Sequence, residues 1–188
     1  MEYVLFETML TCCKQRGLIT AGGRQRTDAT HVLAAVRAIN RVICVGETMR
    51  AALNSIAEVA PEWLRSFAPE EWYERYERRI EEYRLPKEQS KRAALVEMIG
   101  ADGYALLEVI GTTPALNWLA HVRAVEILRR VWVQQCELID DQVHFRANDT
   151  IPAAPNMICS PYDVEATYGG KLTTWWVGYK VHLTESCE

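Results

Sequence analysis

Residues 23–36, GRQRTDATHVLAAV, decide how the chain is read. A short basic and polar run, Arg24-Gln25-Arg26, leads into Thr27-Asp28-Ala29-Thr30-His31, and an apolar-periodic segment follows. Asp28 therefore stands where an extended segment is expected to give way to a helix. Two readings of it compete. As an N-cap, Asp28 or Thr30 would accept hydrogen bonds from the free backbone N–H groups of the first helical turn. As a carboxylate displayed at the end of a strand, Asp28 would hold a divalent metal. Caps are far commoner than metal sites, so the local residues alone favour the cap.

Downstream, the period from Thr30 to Ala60 is helical. Val32, Val36, Ile39, Ile43, Met49, Leu53 and Ile56 mark one face. Gly46 is expected to loosen that helix, at about 1 kcal/mol relative to alanine, and Pro61 to end it. Upstream, residues 2–16 read as an amphipathic helix stopped by Gly17. Gly22-Gly23 is a joint, and Arg24 to Asp28 a short strand.

The totals set the class. The chain has 188 residues, 49% hydrophobic and 24% charged, enough for one domain or a large piece of one. A net charge of -4 argues against a basic nucleic-acid surface averaged over the chain, though not against a local patch. The six cysteines, at 12, 13, 44, 136, 159 and 187, form no C-x-x-C and no zinc spacing with the four histidines. They read as reduced, mostly buried thiols of a cytoplasmic protein. The first residues show no basic leader or small-residue cleavage site, and no apolar run approaches the ~20 residues of a bilayer span.

Further along, Ala60-Pro61-Glu62-Trp63 and Ala68-Pro69-Glu70-Glu71-Trp72 each set proline at the first helical position and an acid near the positive end of the dipole. Glu70 to Tyr83 carries Trp72, Tyr76, Ile80 and Tyr83 on one stripe, with Glu71/Arg75 and Glu74/Arg78 as exposed i,i+4 pairs. That stripe reads as core beside a solvated face rather than as a base-stacking platform. A helix is expected from Glu88 to Ile99. Gly100-Ala101-Asp102-Gly103 reads as a cap pair that opens a second helix through Ile110. Thr113-Pro114 starts another, with Leu116, Leu119, Val122, Val125, Leu128 and Trp132 inward. His121 and His144 have no partner at ligand spacing.

Beyond about Gln135 the pattern shortens. Cys136 to Arg146 is a hairpin around Asp140-Asp141, acids that a two-residue turn points into water. Asn148 to Lys171 is a long irregular connection. Thr174 to Thr184 alternates cleanly and needs a partner strand, for which Arg24–Asp28 and the 136–146 hairpin are the candidates. A sheet barely begun at Glu188 hints at further polypeptide.

Three stretches together resemble a known family: residues 26–37 (RTDATHVLAAVR), 160–166 (SPYDVEA) and 178–185 (GYKVHLTE). Val45-Gly46-Glu47-Thr48 and residues 69–76 (PEEWYERY) add to the likeness. The chain resembles bacterial insertion-sequence transposases of the Asp-Asp-Glu (DDE) type over nearly its whole length, from about residue 3. The resemblance implies a mostly α fold with a small β component: a partial ribonuclease H-like core, its first strands interrupted by a large helical insertion at about 30–135. Residues 1–22 would be the remnant of a preceding helical region, and 23–188 the N-terminal part of the catalytic core. Asp28 would be the first catalytic and metal-binding carboxylate, and Trp175–Thr184 the second strand.

Such enzymes hold two divalent metals roughly 4 Å apart on three acids, and magnesium suits an all-oxygen set. The resemblance implies DNA at transposon ends as partner, with self-association or a full-length transposase beside it, and no membrane. The second aspartate and the glutamate are expected beyond Glu188, so the chain reads as an internal fragment, inactive and metal-free alone. Thr167 stands where the family pattern expects arginine. Two rivals remain. One is a non-catalytic helical module with Arg24, Arg26, Lys87, Lys91 and Arg92 as phosphate contacts. The other is a remnant whose open sheet edge promotes aggregation.

Overall fold

Asn40 opens the helix on which the larger part of the molecule packs. In the computed structural model its Oδ1 accepts the Ile43 N–H at 2.9 Å, in the extended conformation proper to a cap. The structure describes residues 2–19, 24–33, 40–153, 156–171 and 174–187, with side chains for 4–19, 26–27, 40–153, 156–170 and 176–184. In chain order the elements are α1 (Glu2–Gln15), β1 (Arg24–Leu33), α2 (Arg41–Val59), α3 (Pro61–Phe67), α4 (Glu70–Tyr76), α5 (Gln89–Thr112), α6 (Arg123–Gln135), β2 (Cys136–Ile139), β3 (Gln142–Phe145), β4 (Thr167–Lys171) and β5 (Thr174–Cys187). Short 3-10 helices lie at Glu82–Arg84 and Pro114–His121. The fold is mostly helical with a small antiparallel sheet component. Among the described residues no helix is long and apolar enough to cross a membrane.

The chain forms two units, Met1–Val32 with Lys180–Glu188, and Leu33–Tyr179. In the first, α1 ends as expected at Gly17, whose φ is +67°, and Leu18 N–H bonds back to Cys13 O at 2.9 Å. Its apolar residues do not form a buried stripe: Val4, Leu5, Phe6 and Met9 are all exposed. β1 neighbours β5 in the strand order β1-β5-β4.

The helix expected over 30–60 starts later. Thr30 to Leu33 belong to β1, and α2 begins at Arg41. The β-branched Thr27, Thr30 and Val32 favour the extended state, and the side-chain cap comes from Asn40. Neither Asp28 nor Thr30 is a helix cap. Val36 and Ile39 lie outside the described residues; Ile43, Met49, Leu53 and Ile56 are buried as the period predicts.

In the larger unit α2, α5 and α6 enclose the core, with Met49, Ile56, Ile99, Leu106, Ile110, Leu128 and Trp132 buried. Residues 100–103 do not divide a helix. α5 runs through them, because the two glycines are where neighbours come close. A Cβ on Gly103 would enter the Trp132 ring, and one on Gly100 would meet Val143 at 2.7 Å. The Trp132 indole N–H donates to Gly100 O at 2.9 Å. Packing thus outweighs the roughly 0.5–1 kcal/mol that a helical glycine costs. Asp102 is no cap: it accepts from Arg75 and, at 2.6 Å, from the Tyr76 hydroxyl. The Glu71/Arg75 and Glu74/Arg78 pairs are accordingly replaced by Arg75–Asp102 and Arg78–Glu77.

The helix expected over 70–83 stops at Tyr76, leaving Tyr83 exposed and Ile80 packed where a side chain on Gly46 would stand. The segment after Thr113 is a 3-10 helix followed by α6. β2 and β3 form the expected hairpin, with Asp140 and Asp141 at φ 51° and 60°, a primed turn. Arg41 secures it, donating to Gln135 Oε1 at 2.7 Å and Arg146 O at 2.8 Å, with its guanidinium 4.2 Å from the Phe145 ring.

Of the two candidate partners of β5, the hairpin is not one and the strand at Arg24–Asp28, within β1, is. On its other side β5 pairs with β4, antiparallel, from Thr167 opposite Gly178 to Lys171 opposite Thr174. Thr167 therefore sits in a strand, within the segment expected to be irregular. Three strands in one sheet and two in another, among the described residues, do not establish a ribonuclease H-like core.

Candidate functional site

Asp28 lies inside β1, with strand on both sides rather than at its end, and its side chain is outside the described residues. One residue before it, Thr27 Oγ1 shares a 2.9 Å hydrogen bond with Thr184 Oγ1 of β5. Among the described residues no three His, Cys, Asp or Glu side chains gather into a metal site. They therefore do not supply the acidic set that a two-metal centre needs.

Of the basic residues nominated as phosphate contacts, two are already engaged by carboxylates. Lys91 pairs with Glu88 at 2.9 Å, and Arg92 pairs with Glu82 at 2.7 Å while donating to Pro86 O at 2.6 Å. Arg26 and Lys87 are exposed, and the Arg24 side chain is outside the described residues. Asp140 and Asp141 are exposed turn residues. His144 Nδ1 lies 3.7 Å from Glu97.

What the structure does bring together is a carboxylate that spacing alone leaves unremarked. Glu47 sits on the apolar face of α2, one turn after Ile43, and is 2% exposed. Its Oε1 accepts from Arg50 Nε at 3.0 Å and from the Ile80 N–H at 2.7 Å. Its Oε2 accepts from Arg50 Nη2 at 3.2 Å and from the Tyr162 hydroxyl at 2.6 Å. Arg79 Nε adds a charge at 3.7 Å. Burial pushes the carboxyl up, but the bonds from Arg50, Tyr162 and Ile80 outweigh it and hold Glu47 below the usual carboxylate range. Burial and the bond to Glu47 raise the Tyr162 phenol.

The network continues through the next residue. Asp163 Oδ1 accepts the Ala166 N–H at 3.2 Å, and its Oδ2 accepts the Tyr179 hydroxyl. Arg50 Nη2 also donates to Tyr162 Oη at 2.9 Å. Three stretches of the family resemblance, 45–48, 160–166 and 178–185, thus meet through Glu47, Tyr162, Asp163 and Tyr179. A carboxylate offers about four acceptor positions, and all four on Glu47 are taken. It has none left for a metal or a substrate proton, so its chemistry here is that of an anchor. The signal in the sequence is an acid on an apolar helical stripe, a position that demands partners.

Nucleophilic chemistry by the buried thiols is disfavoured. Burial pushes Cys44 and Cys136 up to about 12 and Cys159 up to about 11, so little thiolate forms near neutrality. The expectation of mostly buried cysteines holds for these three; Cys12 is exposed and Cys13 half-buried. No family model matches the chain, and no curated protein or solved structure matches it.

Proposed function

We propose that the chain is a segment of a DDE-type transposase, acting on DNA in the cytoplasm, and that Asp28 is its first catalytic carboxylate. The observation that carries this reading is the position of Asp28 on β1, the sheet neighbour of β5, with the whole helical stretch α2–α6 falling between those two strands in sequence. The resemblance implies that order: first strand, helical insertion, second strand. Glu47, Tyr162 and Asp163 anchor the turn that leads into β4 and β5.

Magnesium, in the intact enzyme, would activate the attacking oxygen and stabilise the leaving one. One carboxylate cannot hold two metals in the geometry the reaction needs, so on this reading the chain alone does not cut or join DNA. The missing aspartate and glutamate are supplied by polypeptide beyond Glu188. The test is a nicking assay on a supercoiled plasmid. The chain alone should give no magnesium-dependent nicking. Joined in frame to the segment encoded downstream, it should nick, and Asp28→Ala should abolish that activity. Nicking by the chain alone that depends on Asp28, or nicking by the joined protein that survives Asp28→Ala, would overturn the assignment.

A further inference from the structure

The outer face of α6 carries three arginines, Arg123, Arg129 and Arg130, all exposed. The helix cannot roll to hide them, because Val125, Ile127, Leu128, Val131, Trp132 and Gln135 are buried on its other side. Most arginines of the larger unit have a carboxylate within ion-pair distance: Arg50, Arg65, Arg75, Arg78, Arg79, Arg92 and Arg146 all do. Arg41 is engaged by neutral groups. Among the described residues no carboxylate lies within 4.0 Å of the three α6 arginines.

Glu126 shares that exposed face, three residues from Arg123 and Arg129 and four from Arg130, and lies within ion-pair distance of none of them. The face therefore keeps a net charge of about +2, on a chain whose overall charge is -4. Arg123 is the first residue of α6, where the helix dipole disfavours a cation. Helix stability does not explain it. Seven residues separate Arg123 from Arg130, about 10 Å along the axis and on nearly the same side. That spacing suits successive contacts along a charged backbone.

We infer that the outer face of α6 is a nucleic-acid contact surface whose arginines bind the phosphates of duplex DNA, in place of the ion-paired Lys91 and Arg92. The choice of DNA as the polyanion rests on the transposase reading. Guanidinium forks bind phosphate oxygens with two parallel hydrogen bonds, and such contacts carry affinity without sequence preference.

The test is fluorescence anisotropy of the full chain with a labelled duplex of mixed sequence, titrated at several salt concentrations. Wild-type affinity should fall steeply with salt. Replacing Arg123, Arg129 and Arg130 together by glutamine should weaken low-salt binding at least tenfold and reduce the salt slope by about 0.9 for each phosphate that is no longer neutralised. Each single glutamine variant should show a smaller loss of the same kind. Lys91→Gln with Arg92→Gln should stay within about twofold of wild type, since those charges are already neutralised. Circular dichroism checks that the variants remain helical, as exposed substitutions should. Equal binding by wild type and the α6 variants, or no wild-type binding at low salt, would overturn the proposal. A failure here leaves the downstream coding sequence, which decides the family reading, untouched.

Discussion

The Tyr162 hydroxyl donates to the Glu47 carboxylate at 2.6 Å, across 115 residues of chain. That bond fastens the 160–163 turn to the middle of α2, and Asp163, the next residue, fastens Tyr179 of β5. Tyr162→Phe removes one donor from a buried carboxylate and should destabilise the protein by about 1–3 kcal/mol. Glu47→Ala strands Arg50 and Tyr162 together and should cost more, about 3–5 kcal/mol. Urea unfolding of the two variants beside wild type checks both, and a Glu47→Ala variant as stable as wild type would show the network to be idle.

The same network gives an acid dependence. Glu47 is held below its ordinary value in the folded state, so the stability it contributes is fully present above the unfolded carboxylate value of about 4.3. It is lost as the pH falls from there through the lower folded value. Between about pH 5 and pH 3 wild type should therefore lose more stability than Glu47→Gln, which has no proton to take up at that site. Melting temperatures across that range measure the difference. Parallel curves would contradict it.

Two glycines of α5 should respond in opposite directions. Gly103→Ala drives a Cβ into the Trp132 ring and should destabilise by about 1–3 kcal/mol, despite alanine's better helix propensity. Gly111 has nothing within 4 Å of its Cβ position, so Gly111→Ala should stabilise by about 0.5–1 kcal/mol. Thermal melts of the pair separate close packing from simple propensity.

Thiol accessibility tests the packing chemically. Cys12 should be alkylated by iodoacetamide in the folded protein and Cys13 more slowly, while Cys44, Cys136 and Cys159 should react only after denaturation. Peptide mapping by mass spectrometry assigns each site. Rapid labelling of Cys44 in the native protein would contradict the burial described above.

Much of the fold is legible in the residues, and the departures share a cause. Proline starts at Pro61 and Pro114, the hairpin at Asp140-Asp141 and the strand after Thr174 follow from local chemistry, and the structure has all of them. Gly100 and Gly103 look like a helix break in sequence because what crowds them, Val143 beside Gly100 and the Trp132 ring beside Gly103, comes from distant segments. α2 starts later than its period predicts because Val32 and Leu33, which fit a helical period as well as a strand, belong to β1. Asn40, the actual cap, gives no such signal over that apolar run.

The candidate site divides the same way. Asp28 stands out through the motif around it. Glu47 lies within a stretch that the resemblance also includes, and Arg50 stands at i+3 on the same helix, yet its partners Tyr162 and Ile80 come from two distant segments. Only folding gathers them.

We propose Asp28 as the first ligand of a DDE carboxylate set whose other members are encoded further along the gene. Reading the DNA downstream of the codon for Glu188, in all frames, tests it most directly. The expected result is a coding stretch that supplies a strand carrying a second aspartate and then a helix carrying a glutamate. Flanking DNA that encodes nothing of the kind would contradict it.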